Sequence, residues 1–147
     1  MRGELTAIGF GRDKLNGGIS RFLNLLDTQF IPNKIAKEQL EQVGLKNVVD
    51  DRVIFVAAHK NGIHRSVRHG DSGGPLFRFI GGKFILYGLA SWVVNNPRII
   101  APSCFTRIGA FSKWIKDTIT NEEPKDSTEL QKTTIENQVD KVASSLE

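Results

Sequence analysis

Cysteine is nearly absent from this sequence of 147 residues, which contains one, Cys104. A single cysteine cannot form an internal disulfide bond, and it cannot supply the set of thiolates on which Cys-based zinc sites depend. The sequence therefore excludes a disulfide-stabilised scaffold. It fits either a protein of a reducing compartment or a secreted protein that folds without disulfide bonds.

Long apolar segments are missing as well. No run approaches the roughly 20 residues that a membrane-spanning helix needs, and no apolar segment typical of a signal peptide follows Met1. We expect no membrane contact and no export signal in these residues. The compartment stays open, and secretion is expected if the chain is a piece of a longer precursor.

Clusters of basic and aromatic residues, which are typical of nucleic-acid binding, are also lacking. The net charge is +4, but residues 1–120 hold 17 basic and 9 acidic residues, whereas residues 121–147 hold 3 and 7. We interpret the positive charge of the first part as ordinary surface charge and predict no nucleic-acid partner.

Residues 121–147 differ in composition from the rest of the chain. They contain no aromatic residue and no glycine, so they cannot add much to a hydrophobic core. Apolar residues recur there at near-helical spacing, which leaves a partner-binding helix open. We predict a folded domain over residues 1–120 and a flexible acidic tail over residues 121–147.

Short apolar runs bounded by glycine, proline and asparagine dominate the first 110 residues and predict β-strands. The predicted strands are Leu5–Gly11, Phe22–Ile31, Arg52–Ala58, Leu76–Ile80, Lys83–Val93 and Cys104–Ile108. Gly81 and Gly82 predict a hairpin turn. Helices are predicted over Lys34–Val43, with Asn33 as N-cap, and over Phe111–Ile119. The sequence thus predicts an all-β fold, a six-stranded antiparallel barrel followed by a C-terminal helix.

The most informative segment runs from Gly70 to Pro75 and reads Gly-Asp-Ser-Gly-Gly-Pro. A catalytic serine needs a backbone that exposes its Oγ while nearby N–H groups point at the carbonyl oxygen under attack. Glycines on both sides of Ser72 allow such a backbone. A specified hexapeptide arises by chance on the order of once in tens of millions of positions, so the segment predicts a serine nucleophile.

The same residues fit Gly-x-Ser-x-Gly, the nucleophile motif of α/β-hydrolases. That motif requires a helix directly after the serine and a histidine further along the chain. Here Pro75 and a predicted strand follow, and all three histidines, His59, His64 and His69, precede Ser72. Both requirements fail, which excludes an α/β-hydrolase.

With this motif the sequence resembles the trypsin/chymotrypsin-like serine protease family, peptidase family S1. The resemblance runs over about residues 4–120 and covers the second barrel of the family's two-barrel domain. The matching segments, in the family's order, are Leu5–Gly11, Phe55–Ala58, Gly88–Trp92, Ala101–Ile108 and Lys113–Ile115.

The resemblance implies roles for the residues around the serine. Ser72 would be the nucleophile, and the backbone N–H groups of Gly70 and Ser72 would form the oxyanion hole. Asp71 would be the carboxylate that a new amino terminus pairs with when a zymogen is cleaved. The substrate pocket would be formed by Ser66 at the base, His69 at the rim, and Ser91, Trp92, Val93 and Ser103 at the walls.

The resemblance also implies a triad histidine and aspartate that the first barrel supplies, and this sequence contains neither. We interpret the three histidines, which lie before Ser72, as solvated loop residues. Without a general base a serine hydroxyl is a weak nucleophile. We therefore expect endopeptidase chemistry only in a completed protein, with no cofactor or metal and little activity in this chain alone.

Three functions stay open. The first is a trypsin-like serine endopeptidase, with a peptide or protein substrate and the missing N-terminal barrel as partner. The second is a non-catalytic protease homologue that binds a protein, and the third is a basic scaffold for acidic glycans or lipids. For the first, Ser66 offers no counter-charge, and Val93 and Ser103 stand where the family has glycines. These residues predict cleavage after small or medium apolar residues rather than Arg or Lys.

Overall fold

The computed structural model describes residues 4–14, 17–60, 63–94 and 101–121. Seven strands follow one another as β1 Glu4–Gly9, β2 Asn24–Ile31, β3 Val53–Lys60, β4 Ile63–Arg65, β5 Pro75–Ile80, β6 Lys83–Trp92 and β7 Ser103–Arg107. Helix α1 spans Asn33–Glu41, a 3-10 turn spans Ile108–Phe111, and helix α2 spans Ser112–Asn121.

Six of these strands close into an antiparallel barrel. The strand order is β2-β1-β5-β6-β7-β3, and a further pairing of β2 with β3 joins the two ends. In that closing pair Gln29 lies opposite Ala57 and Ile31 lies opposite Phe55. Closure leaves none of the six with an unpaired edge. The predicted six-stranded antiparallel barrel and its C-terminal helix are confirmed.

Alternation along β3 divides the apolar core in two, because successive side chains of a strand point to opposite faces. Ile54 and Val56 belong to the cluster that includes Leu5, Ala7, Val67, Leu76, Ala90 and Phe105. Phe55, between them, belongs to a second cluster with Ala36, Leu40, Ala101 and Cys104. Ala36 and Leu40 are one helical turn apart, so α1 covers this second cluster with one face.

Cys104 lies fully buried in the second cluster. Burial raises the pKa of its thiol to about 12, and the thiolate is the reactive form. We expect the native chain to react with DTNB about a hundredfold or more slowly than the urea-unfolded chain at mildly alkaline pH. Equal rates in the two states would contradict the burial of this residue.

The predicted N-cap of α1 is wrong. Pro32, with an extended backbone, occupies the cap position and makes no side-chain cap hydrogen bond. The Asn33 amide instead donates from Nδ2 to the backbone oxygen of Asp50 at 3.2 Å. The predicted role of Gly44 at the C-terminal end of the helix agrees with the structure. Gly44 has φ of +84°, and the Leu45 N–H donates to the Leu40 oxygen at 2.9 Å.

The predicted turn between β5 and β6 is present, and one short strand was not predicted. Gly81 and Gly82 have φ of +57° and +79° and connect β5 to β6 as the predicted hairpin turn. Strand β4 was not predicted. It is three residues long and pairs with β3 outside the closed ring.

Helix α2 belongs to a second unit of the chain that begins at Ser112. Its Lys113 and Asp117 form an exposed ion pair one helical turn apart. None of the helices in the described ranges is long and apolar enough to cross a membrane. The predicted acidic tail lies almost entirely outside the described residues, so the division at residue 120 stays a prediction.

Candidate active site

The loop between β4 and β5 carries Ser72 on the surface between two glycines of positive φ. Gly70 has φ of +95° and Gly73 has φ of +77°, values that L side chains rarely adopt. A Cβ at Gly70 would also lie 2.7 Å from the side chain of Ile19 and 3.1 Å from the Gly11 Cα. The backbone around the serine therefore requires a glycine at position 70.

Two backbone hydrogen bonds attach this loop to the end of β6. The Gly73 N–H donates to the Ala90 oxygen at 2.9 Å, and the Ala90 N–H donates to the Gly74 oxygen at 2.8 Å. Because Ala90 directly precedes Ser91 and Trp92, these bonds bring Ser72 beside the last residues of β6. The motif and the Gly88–Trp92 segment thus meet in space.

Two backbone N–H groups of this loop have no acceptor in the described part of the chain. In the described ranges, neither the Gly70 N–H nor the Ser72 N–H donates to another protein group. The neighbouring Asp71 N–H does, to the Arg68 oxygen at 2.9 Å. Unpaired N–H groups on an exposed loop can bind a developing oxyanion, which is the role predicted for both.

The Asp71 carboxylate turns away from the serine and is held by backbone. Its Oδ1 accepts from the Gly11 N–H and its Oδ2 accepts from the Arg68 N–H, each at 2.8 Å. No ion pair in the described part of the chain includes it. A Cβ on Gly9 or Gly11 would overlap the carboxylate. The sequence placed both glycines in the matching segment Leu5–Gly11 but gave no indication of their contact with Asp71.

A cleft of about 200 Å³ opens beside Ser72. It brings together five residues that the sequence predicted for the site, His69, Ser72, Ser91, Trp92 and Val93. Sequence reasoning did not name the other three, Val67, Arg68 and Ala90. The lining is mostly apolar on the β6 side and basic on the loop side, and it includes no carboxylate.

Two predicted pocket residues lie elsewhere. Ser66 lines a larger cavity of about 640 Å³, which also contains Asp71 but not Ser72. Ser103 is only 2% exposed and lies in β7 opposite Val56. The roles predicted for Ser66 and Ser103 stay predictions, since neither residue lines the cleft beside Ser72.

No histidine is hydrogen-bonded to the Ser72 Oγ among the described residues. His69 is exposed, and its backbone oxygen accepts from the Arg12 N–H at 2.9 Å. The interpretation of His59 and His64 as solvated loop residues is wrong, because they lie opposite each other in β3 and β4 and His64 is half-buried. The described side chains also contain no group of three or more metal-binding residues. In the described part of the chain, Ser72 therefore lies beside unpaired backbone N–H groups and a cleft, with no histidine hydrogen-bonded to it.

A closed six-stranded antiparallel barrel that holds a glycine-flanked serine against the Ser-Trp-Val end of a strand has the architecture of the second barrel of trypsin-like serine proteases. The family model described as Trypsin matches residues 1–115. The chain belongs to the trypsin-like serine protease family.

Named relatives agree with this assignment. Chymotrypsin-like elastase family member 1 of Macaca fascicularis is 31% identical over 114 residues, which are 76% of this chain and 40% of that protein. Lectizyme of Glossina austeni is 32% identical over 121 residues, 81% of this chain and 42% of that protein. Serine proteinase stubble of Drosophila melanogaster is 29% identical over 115 residues, 78% of this chain and 14% of that protein. The chain spans less than half the length of each of these relatives.

Proposed function

We propose that this chain is the nucleophile-bearing half of a trypsin-like serine endopeptidase. Ser72 is the nucleophile, and the cleft beside it receives the substrate side chain that precedes the scissile bond. The observation that carries the proposal is the attachment of the Ser72 loop to Ala90, which sets the serine beside the cleft walls Ser91, Trp92 and Val93.

The chemistry follows from these groups. The Ser72 Oγ attacks the peptide carbonyl carbon, and the C–N bond breaks to give an ester on the serine and a free amine. The N–H groups of Gly70 and Ser72 stabilise the intermediate oxyanion, each by about 3–4 kcal/mol. Water then hydrolyses the ester. The hydroxyl proton needs a base, and the triad histidine of a first barrel would accept it and pass it to the amine.

The partner that completes the site is an N-terminal barrel. An apolar face on the β5–β6 hairpin, exposed in the described part of the chain, supports this proposal. Phe77 lies opposite Leu86 and Phe79 lies opposite Phe84, so all four side chains share one face of the hairpin. Phe79 and Phe84 are 59% and 71% exposed. Contiguous apolar surface of this kind marks a docking site, and the relatives have more than half of their length outside the matched region.

A second candidate is a protease homologue that binds a protein without cleaving it. The observation in its favour is the lack of a histidine hydrogen-bonded to Ser72 in the described ranges. The two candidates differ in one respect: a binding module gains no reactivity at Ser72 when a first barrel is supplied.

The substrate preference of the completed protein tests the first candidate. We expect the chain, fused behind the first barrel of a family member with a processed amino terminus, to cleave a peptide library after small or medium apolar residues. Cleavage after Arg or Lys should be about a hundredfold or more slower, because the cleft offers a cation no carboxylate and already contains Arg68 and His69. Mass spectrometry of the products measures both rates.

Two results would contradict the proposal. Preferential cleavage after Arg or Lys would reject the assigned cleft. Unchanged cleavage by the Ser72→Ala variant would reject the nucleophile, whereas Ser112→Ala, which changes a serine of α2, is expected to cleave normally.

A further inference from the structure

Strand β4 is joined to the barrel through three residue pairs with β3. The middle pair consists of two histidines, His59 on β3 and His64 on β4. Their ring centroids are 5.4 Å apart, with the planes inclined at 63°. His59 is exposed and His64 is half-buried. The pairing of β4 with β3 therefore places two imidazole rings against each other at its centre.

The surroundings of His64 suit its neutral form. A hydrogen bond to the Ala101 backbone favours the charged form, but the Nδ1 of His64 is buried with no hydrogen-bond partner in the described ranges. Burial lowers the pKa of His64, and the positive charges of His59 and Arg68 lower it further. Protonation at Nδ1 would leave a buried N–H without an acceptor, which is costly.

Charged groups of both signs lie near the pair. On the basic side, Arg65 and Arg68 follow it in the chain, and Arg12 lines the same cavity as His59. The carboxylates that line this cavity are Asp13, Asp27 and Asp71. Asp71 accepts two backbone N–H groups and Asp27 accepts the Thr6 hydroxyl. No ion pair in the described part of the chain includes either histidine.

The position of β4 in the chain connects this pair to the cleft. A single residue, Ser66, separates Arg65 at the end of β4 from Val67, the first residue that lines the cleft. The segment then continues through Arg68 and His69 to Ser72. Release of β4 from β3 would free the amino-terminal anchor of this loop.

We propose that the His59–His64 pair is a pH switch: with both rings neutral β4 stays paired with β3, and protonation of both rings releases β4 and loosens the Ser66–Ser72 segment. Two like charges directly opposite on neighbouring strands destabilise the pairing. The switch itself needs only the described barrel. Its consequence for substrate binding rests on the proposed function.

Amide hydrogen exchange in the 147-residue chain tests the switch without any protease activity. We expect the protection of the β4 amides, corrected for intrinsic exchange rates, to fall by about tenfold or more between about pH 7.5 and about pH 5. The amides of β6 should keep their protection over the same interval. Constant protection of β4, or an equal loss in β4 and β6, would overturn the proposal.

The His59→Gln variant separates the switch from general acid sensitivity. It removes one of the two charges at an exposed position, so β4 should lose less protection in acid. The NMR titration of the His64 ring should also move upward toward the ordinary value of 6.5. His69→Gln, on the exposed loop after β4, is the matched control for the exchange measurement, and its β4 amides should lose as much protection in acid as those of the parent chain. An unchanged response in His59→Gln would overturn the assignment. If the β4 amides of His59→Gln no longer lose protection in acid, the switch is supported, whether or not the completed protein is a protease.

Discussion

The isolated 147-residue chain is expected to react with a fluorophosphonate probe at close to the background rate. The probe needs an activated serine, and no histidine hydrogen-bonds the Ser72 Oγ among the described residues. Loss of one triad member costs about 10⁴-fold or more in related enzymes, even where the oxyanion donors remain. Labelling is followed by in-gel fluorescence, with the modified residue located by mass spectrometry.

Supplying a first barrel should restore the reaction. We expect the fused, processed protein to label at Ser72 at a rate about 10⁴-fold or more above that of the isolated chain, and Ser72→Ala should abolish the labelling. A first barrel whose triad histidine is replaced by alanine is the matched control, since it can dock but cannot supply the base. Rapid labelling of the isolated chain at Ser72 would contradict this account and would make His69 the first residue to test as a local base.

The barrel could be predicted from the sequence because its signals are local and repeated. The strands are short apolar runs bounded by glycine, proline and asparagine, and the Gly81–Gly82 turn fixes the pairing of β5 with β6. Strand β4 escaped prediction because three residues are too few to show a period. The cap of α1 was misassigned because the Asn33 side chain bonds to Asp50, a tertiary contact that outweighs the local capping preference.

In the candidate site, too, local features could be predicted from the sequence and tertiary contacts could not. The glycines that frame Ser72 are adjacent in sequence, so their geometry could be predicted before the fold was known. The position of Ser103 could not, because burial against Val56 depends on the register between β7 and β3. The bond from Gly11 to Asp71 spans 60 positions of the chain, and no local pattern reveals such a contact.

Because Gly11 contacts the Asp71 carboxylate, we expect a side chain at position 11 to destabilise the fold. An alanine at position 11 would place its Cβ 2.5 Å from each oxygen of the Asp71 carboxylate. That carboxylate is short, half-buried and bonded to two N–H groups, so it cannot move aside without losing them. Hydrogen bonds to charged groups contribute about 1.5–3 kcal/mol each. We therefore expect Gly11→Ala to lower the free energy of unfolding by about 2–3 kcal/mol, measured by urea denaturation.

The matched control is Gly18→Ala, because a Cβ at Gly18 meets nothing within 4 Å and should change the stability by less than about 0.5 kcal/mol. Asp71→Ala supplies the second side of a double-mutant cycle. If Gly11→Ala acts by displacing the carboxylate, it should cost much less in the Asp71→Ala background than in the parent chain. Fully additive losses would show that Gly11 and Asp71 act independently. The need for a glycine at position 11 would then have to come from its backbone conformation. It would not come from its contact with the Asp71 carboxylate.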